Sequence, residues 1–142
     1  MTIAIAVIDR TILRGMIVSS PHISLSETEL QQLDACLIIS NEIYVGLVDN
    51  EFACVWGLIP PTLMSSQAYL WLLTTSLIEE HKFLFIRHSQ RWMERALQEY
   101  ETIVGFCKPE NKAAIKWLEW LGADFKRPFS ERADFTIRKR YG

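Results

Sequence analysis

Glycine is scarce through the middle of the chain: none occurs between Gly57 and Gly105. A diphosphate resting on a helix N-terminus needs bare backbone, because a Cβ holds the anion off. A glycine-lined cradle is therefore excluded from that stretch. Cysteine is sparse too. Cys36, Cys54 and Cys107 are odd in number, far apart, and without CxxC or paired histidine spacing. That argues against a disulfide framework and a zinc site, and no metal is expected; it also points to a reducing compartment. Neither sign of charge dominates, with 15 Lys and Arg against 17 Asp and Glu for a net −2. No global electrostatic case exists for nucleic acid or an anionic membrane. The apolar start "MTIAIAVI" is broken by Asp9 and Arg10, too early for a signal h-region or a membrane span. An intracellular, cytoplasmic protein is the expectation.

What is present reads as one domain over residues 1–142, long enough to bury a real core. Five Trp, seven Phe and four Tyr call for a packed interior or a partner surface. "TIAIAVID" reads as a strand, and "RGMIVSS" is a second β-branched run read the same way. "SLSETELQQLDACLI" opens with Ser26 and Glu29 at capping-box spacing, and Leu30, Leu33 and Leu37 supply an apolar stripe, so a helix starts near Glu27. "EIYVGLVDNEFACVWGLIPP" is a hairpin turning at Asp49-Asn50. "AYLWLLTT" is apolar at nearly every position, as in a strand covered on both faces. A long helix follows to about Tyr100, with Phe85, Ile86, Ser89, Met93 and Ala96 on one stripe. Then come the strand "TIVGFC", a short helix capped after Asn111 and stopped by Gly122, and two final strands, "ADFKRPF" and "RADFTIRKR". The fold class is α+β, one mixed and mostly antiparallel sheet with a long central helix and a short helix in the C-terminal half.

That order of elements, ending in "PENKAAIKWLEWLGADF", resembles the GNAT N-acyltransferase superfamily over residues 27–138. In the family the late helix often reads Asn-x-x-Ala-x-x-Leu-Tyr-x-x-x-Gly-Phe. Here Asn111, Ala114, Trp117, Leu118 and Gly122 take those places, with Ala123 where Phe is usual. The likeness narrows to a group of GNAT-like phage proteins among the internal-virion and head-assembly proteins of podoviruses. In these a basic-aromatic long helix replaces the glycine motif, and the last unit matches Trp117-Leu118 and Gly122-Ala123-Asp124-Phe125.

The resemblance implies three requirements for acetyl transfer. The cofactor loop of active members reads [Q/R]-x-x-G-x-[G/A]; this chain has "TTSLIEEHKFLFIRHSQ" there. Ser76 and Glu79 are spaced for a capping box, and Glu80 adds a second carboxylate, so that helix end is expected to satisfy its own donors and repel phosphate. If acetyl-CoA binds, Thr74, Thr75, Lys82 and Asn111 are the residues to hold it. The general acid of many members, a Tyr, corresponds to Leu118, which donates no proton. For a base, the central strands offer only Cys107, with Glu51 at a strand entrance. No catalytic residue is assigned.

Each remaining candidate carries two readings. Cys107 is a nucleophile or buried filler. His81 and His88 lack metal spacing and suit surface or capping roles. Arg87, Arg91 and Arg95 form an i, i+4, i+8 ridge, either neutralised by Glu94 and Glu99 or docked on an acidic partner. Trp117 and Trp120 cannot both lie on the core stripe of Ala114, Leu118 and Leu121, so at least one is a candidate partner-binding anchor. Two functions follow. One is a phage-encoded virion or head-assembly protein, without cofactor, acting through protein contacts with phage structural or assembly proteins in the host cytoplasm or the virion. The other is an acetyl-CoA-dependent N-acetyltransferase with a divergent cofactor loop.

Overall fold

A computed structural model describes residues 3–62 and 67–139. The elements run β1 (Ile3–Ala6), α1 (Arg10–Ser19), α2 (Glu27–Ile39), β2 (Glu42–Val48), β3 (Glu51–Ile59), β4 (Ala68–Thr74), α3 (Ile78–Glu99), β5 (Thr102–Cys107), α4 (Lys112–Trp120), β6 (Asp124–Phe125) and β7 (Ala133–Arg138). The strands form one sheet in the order β1-β2-β3-β4-β5-β7-β6. It is mixed and mostly antiparallel, as the sequence predicts. By packing, the chain divides into two compact units, Met1–Ile59 with Trp71–Glu80, and Pro60–Leu70 with His81–Gly142.

In the first unit "RGMIVSS" is not a strand but lies in α1. Asp9 accepts from the backbone N–H groups of Thr11 and Ile12 at 3.0 and 3.3 Å, a helix N-cap, and Leu13 and Ile17 are buried one turn apart. The cap and the i, i+4 pair outweigh β-branched composition. The guanidinium of Arg10 donates to the carbonyls of Leu37 and Ser40, tying the start of α1 to the end of α2. In α2 the capping box forms as spaced, with Ser26 and Glu29 bonded reciprocally at 3.2 Å. β1 pairs antiparallel with β2, and β2 with β3 around a two-residue turn in which Asp49 and Asn50 have φ of 50° and 66°. Positive φ at both positions is the type I′ geometry that matches strand twist. A Cβ on Gly57 would stand 2.4–2.6 Å from the Trp71 indole, so the strand backbone is bare where that ring lies against it.

In the second unit β5 pairs parallel with β4 at Ala68↔Ile103 and Tyr69↔Val104, and antiparallel with β7 over six residues. Phe85, Ile86, Ser89, Trp92, Met93 and Ala96 are buried along α3. Gly122, at φ 97°, ends α4. Its N–H bonds the Glu119 carbonyl, and that of Ala123 bonds the Leu118 carbonyl, a Schellman motif.

Candidate functional site

The turn between β4 and α3 is where the fold would offer backbone donors to a phosphate. Thr75 organises it. Its N–H and its hydroxyl both donate to the Ala53 carbonyl, at 2.9 and 2.7 Å, and the hydroxyl oxygen accepts from the Leu77 N–H at 3.3 Å. The N–H groups of Ile78 and Glu79 bond the carbonyls of Thr75 and Ser76 at 3.2 and 3.4 Å. The reciprocal side-chain bonds of the capping box expected from Ser76 and Glu79 do not form among the described residues; Thr75, one residue earlier, accepts the Leu77 N–H in the turn before the helix. Three successive N–H groups are engaged internally, and Glu79 and Glu80 occupy the first turn of α3.

The four residues proposed to hold a cofactor are placed as follows. Thr74 ends β4, and Thr75 is buried beside it in the bonds just given. Lys82 is exposed, with its ammonium 5.6 Å from the Phe83 ring centroid. Asn111 is the N-cap of α4, its side-chain oxygen accepting from the Ala114 N–H at 3.1 Å. Thr75 and Asn111 thus have structural work of their own. Leu118, at the family's acid position, is buried. Glu51 is half-exposed and 3.5 Å from His22. Burial holds the Cys107 thiol up to about 11, so it is protonated at neutral pH and is no ready nucleophile. Among the described residues no three His, Cys, Asp or Glu side chains gather as a metal site, and no helix is long and apolar enough to cross a membrane.

The proposed contact residues separate. Trp117 is only 4% exposed, and its indole N–H donates to the Ser89 hydroxyl at 2.8 Å, which donates in turn to the Ile86 carbonyl. It is a core residue joining α4 to α3, so of the two candidate anchors it is the one that burial removes from any contact surface. Trp120 is 61% exposed. It lines an open groove of about 920 Å³ together with Gln90, Glu94, Glu119, Arg138 and Lys139. Sequence reasoning missed this groove because its walls come from α3, α4 and the end of β7. Arg87, Arg91 and Arg95 are all exposed, and none forms an ion pair among the described residues. Of the two readings of the ridge, the one by ion pairs with Glu94 and Glu99 finds no such pair among the described residues.

No family model matches the chain, and no characterised protein matches it in sequence. Solved structures do match in shape. A spermidine N-acetyltransferase chimera from Vibrio cholerae and hSSAT superposes with a TM-score of 0.60 at 15% identity, over 96% of this chain and 95% of that one. An aminoglycoside acetyltransferase, AAC(6')-Ib in complex with coenzyme A, gives 0.61 at 13%, over 97% and 95%. A putative ribosomal-protein-serine acetyltransferase from Vibrio cholerae gives 0.65 at 12%, over 96% and 94%. The chain has the fold of the GNAT acetyltransferases.

Proposed function

We propose that this protein uses the GNAT fold as a scaffold for protein contacts and does not hold acetyl-CoA in the manner of the enzymes it resembles. One observation carries this: the N–H groups of Leu77, Ile78 and Glu79 are bonded within the β4–α3 turn, in front of two carboxylates. A diphosphate there would have to break those bonds, pass the side chains of Thr75 and Ser76, and approach Glu79 and Glu80. The residues present do not fit the group. Leu118 in place of a proton donor agrees with this reading. The resemblance to internal-virion and head-assembly proteins gives the setting, a phage-encoded component of virion assembly made in the host cytoplasm. Trp120, exposed on the rim of its groove, is the contact residue proposed for a structural partner.

A second reading, an N-acetyltransferase with a divergent loop, is supported by the coenzyme A complex of a protein with this fold. In it Thr74, Thr75, Lys82 and Asn111 would hold the cofactor. Acetyl-CoA titration by thermal shift and calorimetry separates the two. The scaffold predicts no change in Tm at roughly millimolar ligand, whereas a saturable site of micromolar affinity would raise Tm by linkage, about 4 kcal/mol at a thousandfold excess over Kd. Saturable binding retires the scaffold reading.

A further inference from the structure

The outer face of α3 is organised in a way the fold does not require. Arg87, Arg91 and Arg95 are exposed at four-residue spacing, so their Cα atoms stand about 6 Å apart along about 12 Å of helix. Like charges at that spacing repel one another, and no ion pair among the described residues relieves them. The chain as a whole is net negative, so the ridge is a local inversion. At its N-terminal end the same face exposes Phe83 and Leu84, at 68% and 45%. Leu84, Arg87, Arg91 and Arg95 follow one another at i+3, i+4 and i+4, a single line along the helix.

We propose that this line docks an acidic amphipathic helix of a protein partner, an inference that deepens the scaffold reading and rests on it. Carboxylates at four-residue spacing on a partner helix repeat at the same 6 Å, approximately, so three guanidinium–carboxylate pairs form in one register. Arginine favours such planar two-point contacts over lysine, and all three ridge positions are arginine. The apolar head fixes which end of the partner lies where. A nucleic acid fits less well. Its charge is continuous, whereas this ridge is about 12 Å long and is flanked on α3 by Glu94 and Glu99. A second copy is disfavoured by arithmetic. An antiparallel two-fold pairing centred on the ridge sets Arg87 against Arg95 and Arg91 against itself, and a parallel one sets each arginine against its own copy.

The test is fluorescence anisotropy with a synthetic helical peptide carrying Glu at every fourth position and leucines at one end. A second peptide has Gln in place of Glu. The glutamate peptide should bind the wild type, weaken as salt is raised, and lose about tenfold in affinity to Arg91→Glu. Arg91 is exposed, so the variant should keep its fold, checked by circular dichroism, and a Lys at the matching peptide position should restore binding to it. Leu84→Ser should cost less than the charge reversal. Equal binding of the glutamine peptide, indifference to Arg91→Glu, or an equal loss in a Lys108→Glu control outside α3 would overturn the assignment. So would tighter, Arg91-dependent binding of a DNA duplex or of phosphatidylserine vesicles. Failure here with no acetyl-CoA binding removes only the ridge, whereas acetyl-CoA binding removes the scaffold reading whatever the peptide does.

Discussion

Gly57 and Trp71 are a matched pair whose fit is set at the scale of single atoms. The indole N–H donates to the Ser40 hydroxyl at 2.7 Å, and that hydroxyl donates to the Cys36 carbonyl at 2.6 Å. The ring is nearly buried and held by this chain of bonds, so it cannot swing away from a new methyl group without leaving its acceptor. Gly57→Ala places a Cβ at 2.4–2.6 Å from three indole atoms and should destabilise the protein by about 1–3 kcal/mol. Urea unfolding measures this, and a loss within error would mean that the ring yields. From the sequence, Gly57 is visible as a glycine inside a strand, but Trp71 as the reason is not, because the two lie on different strands. The tryptophans of α4 make the same point. Helical spacing shows that one indole must leave the core stripe. Choosing Trp120 over Trp117 requires knowing that Ser89, 28 residues away, stands ready to accept an indole N–H.

Among the elements, those written in a few consecutive residues were legible. The capping box of α2, the Asp49-Asn50 turn and the Gly122 stop each lie within about one helical turn or one hairpin, and each forms as spaced. The exception is α1, where Ile17 and Val18 of "RGMIVSS" look like strand residues. Its stabilising contacts are Arg10 on the carbonyls of Leu37 and Ser40, and Arg14 on Asp34, both far along the chain. For α4, Asn111 poses a choice between helix cap and cofactor ligand. As a cap, accepting from the Ala114 N–H at 3.1 Å, it should lose about 1 kcal/mol of stability on Asn111→Ala, while Asn111→Asp, an equally good cap, stays within a few tenths. These values are read by chemical denaturation without any ligand. Two neutral substitutions would free Asn111 for another role.

For the whole molecule, the order of elements from α2 onward was readable because periodicity changes cleanly between helices and strands. The partner of β1 was not, since it pairs with β2 some forty residues later. The lack of glycine before α3 was plain in the sequence, yet the occupied donors were not, because Thr75 is anchored by Ala53 on β3. Another global property also escapes a sequence reading, the response to alkali. Burial pushes the Cys54 thiol up to about 12 and Cys107 up to about 11, from an ordinary value of 9.0. Below pH 9, roughly, the thiols are protonated whether the chain is folded or not, and their contribution to stability is constant. Above it the unfolded chain gives up its protons first while the buried thiols keep theirs, so stability falls with rising pH until the folded values are passed. For fully buried Cys54 the limiting slope is about 1.4 kcal/mol per pH unit, and half-buried Cys107 adds less. Urea midpoints measured from about pH 7 to about pH 11 should therefore be flat and then decline. Cys54→Ala starts from a lower plateau because it removes buried sulfur, but its alkaline decline should be shallower. Comparing slopes rather than plateaus isolates the thiol from tyrosine and lysine titration common to both proteins. Parallel declines in the two would show that Cys54 ionises in the fold as readily as in the open chain, contradicting the burial on which the prediction rests.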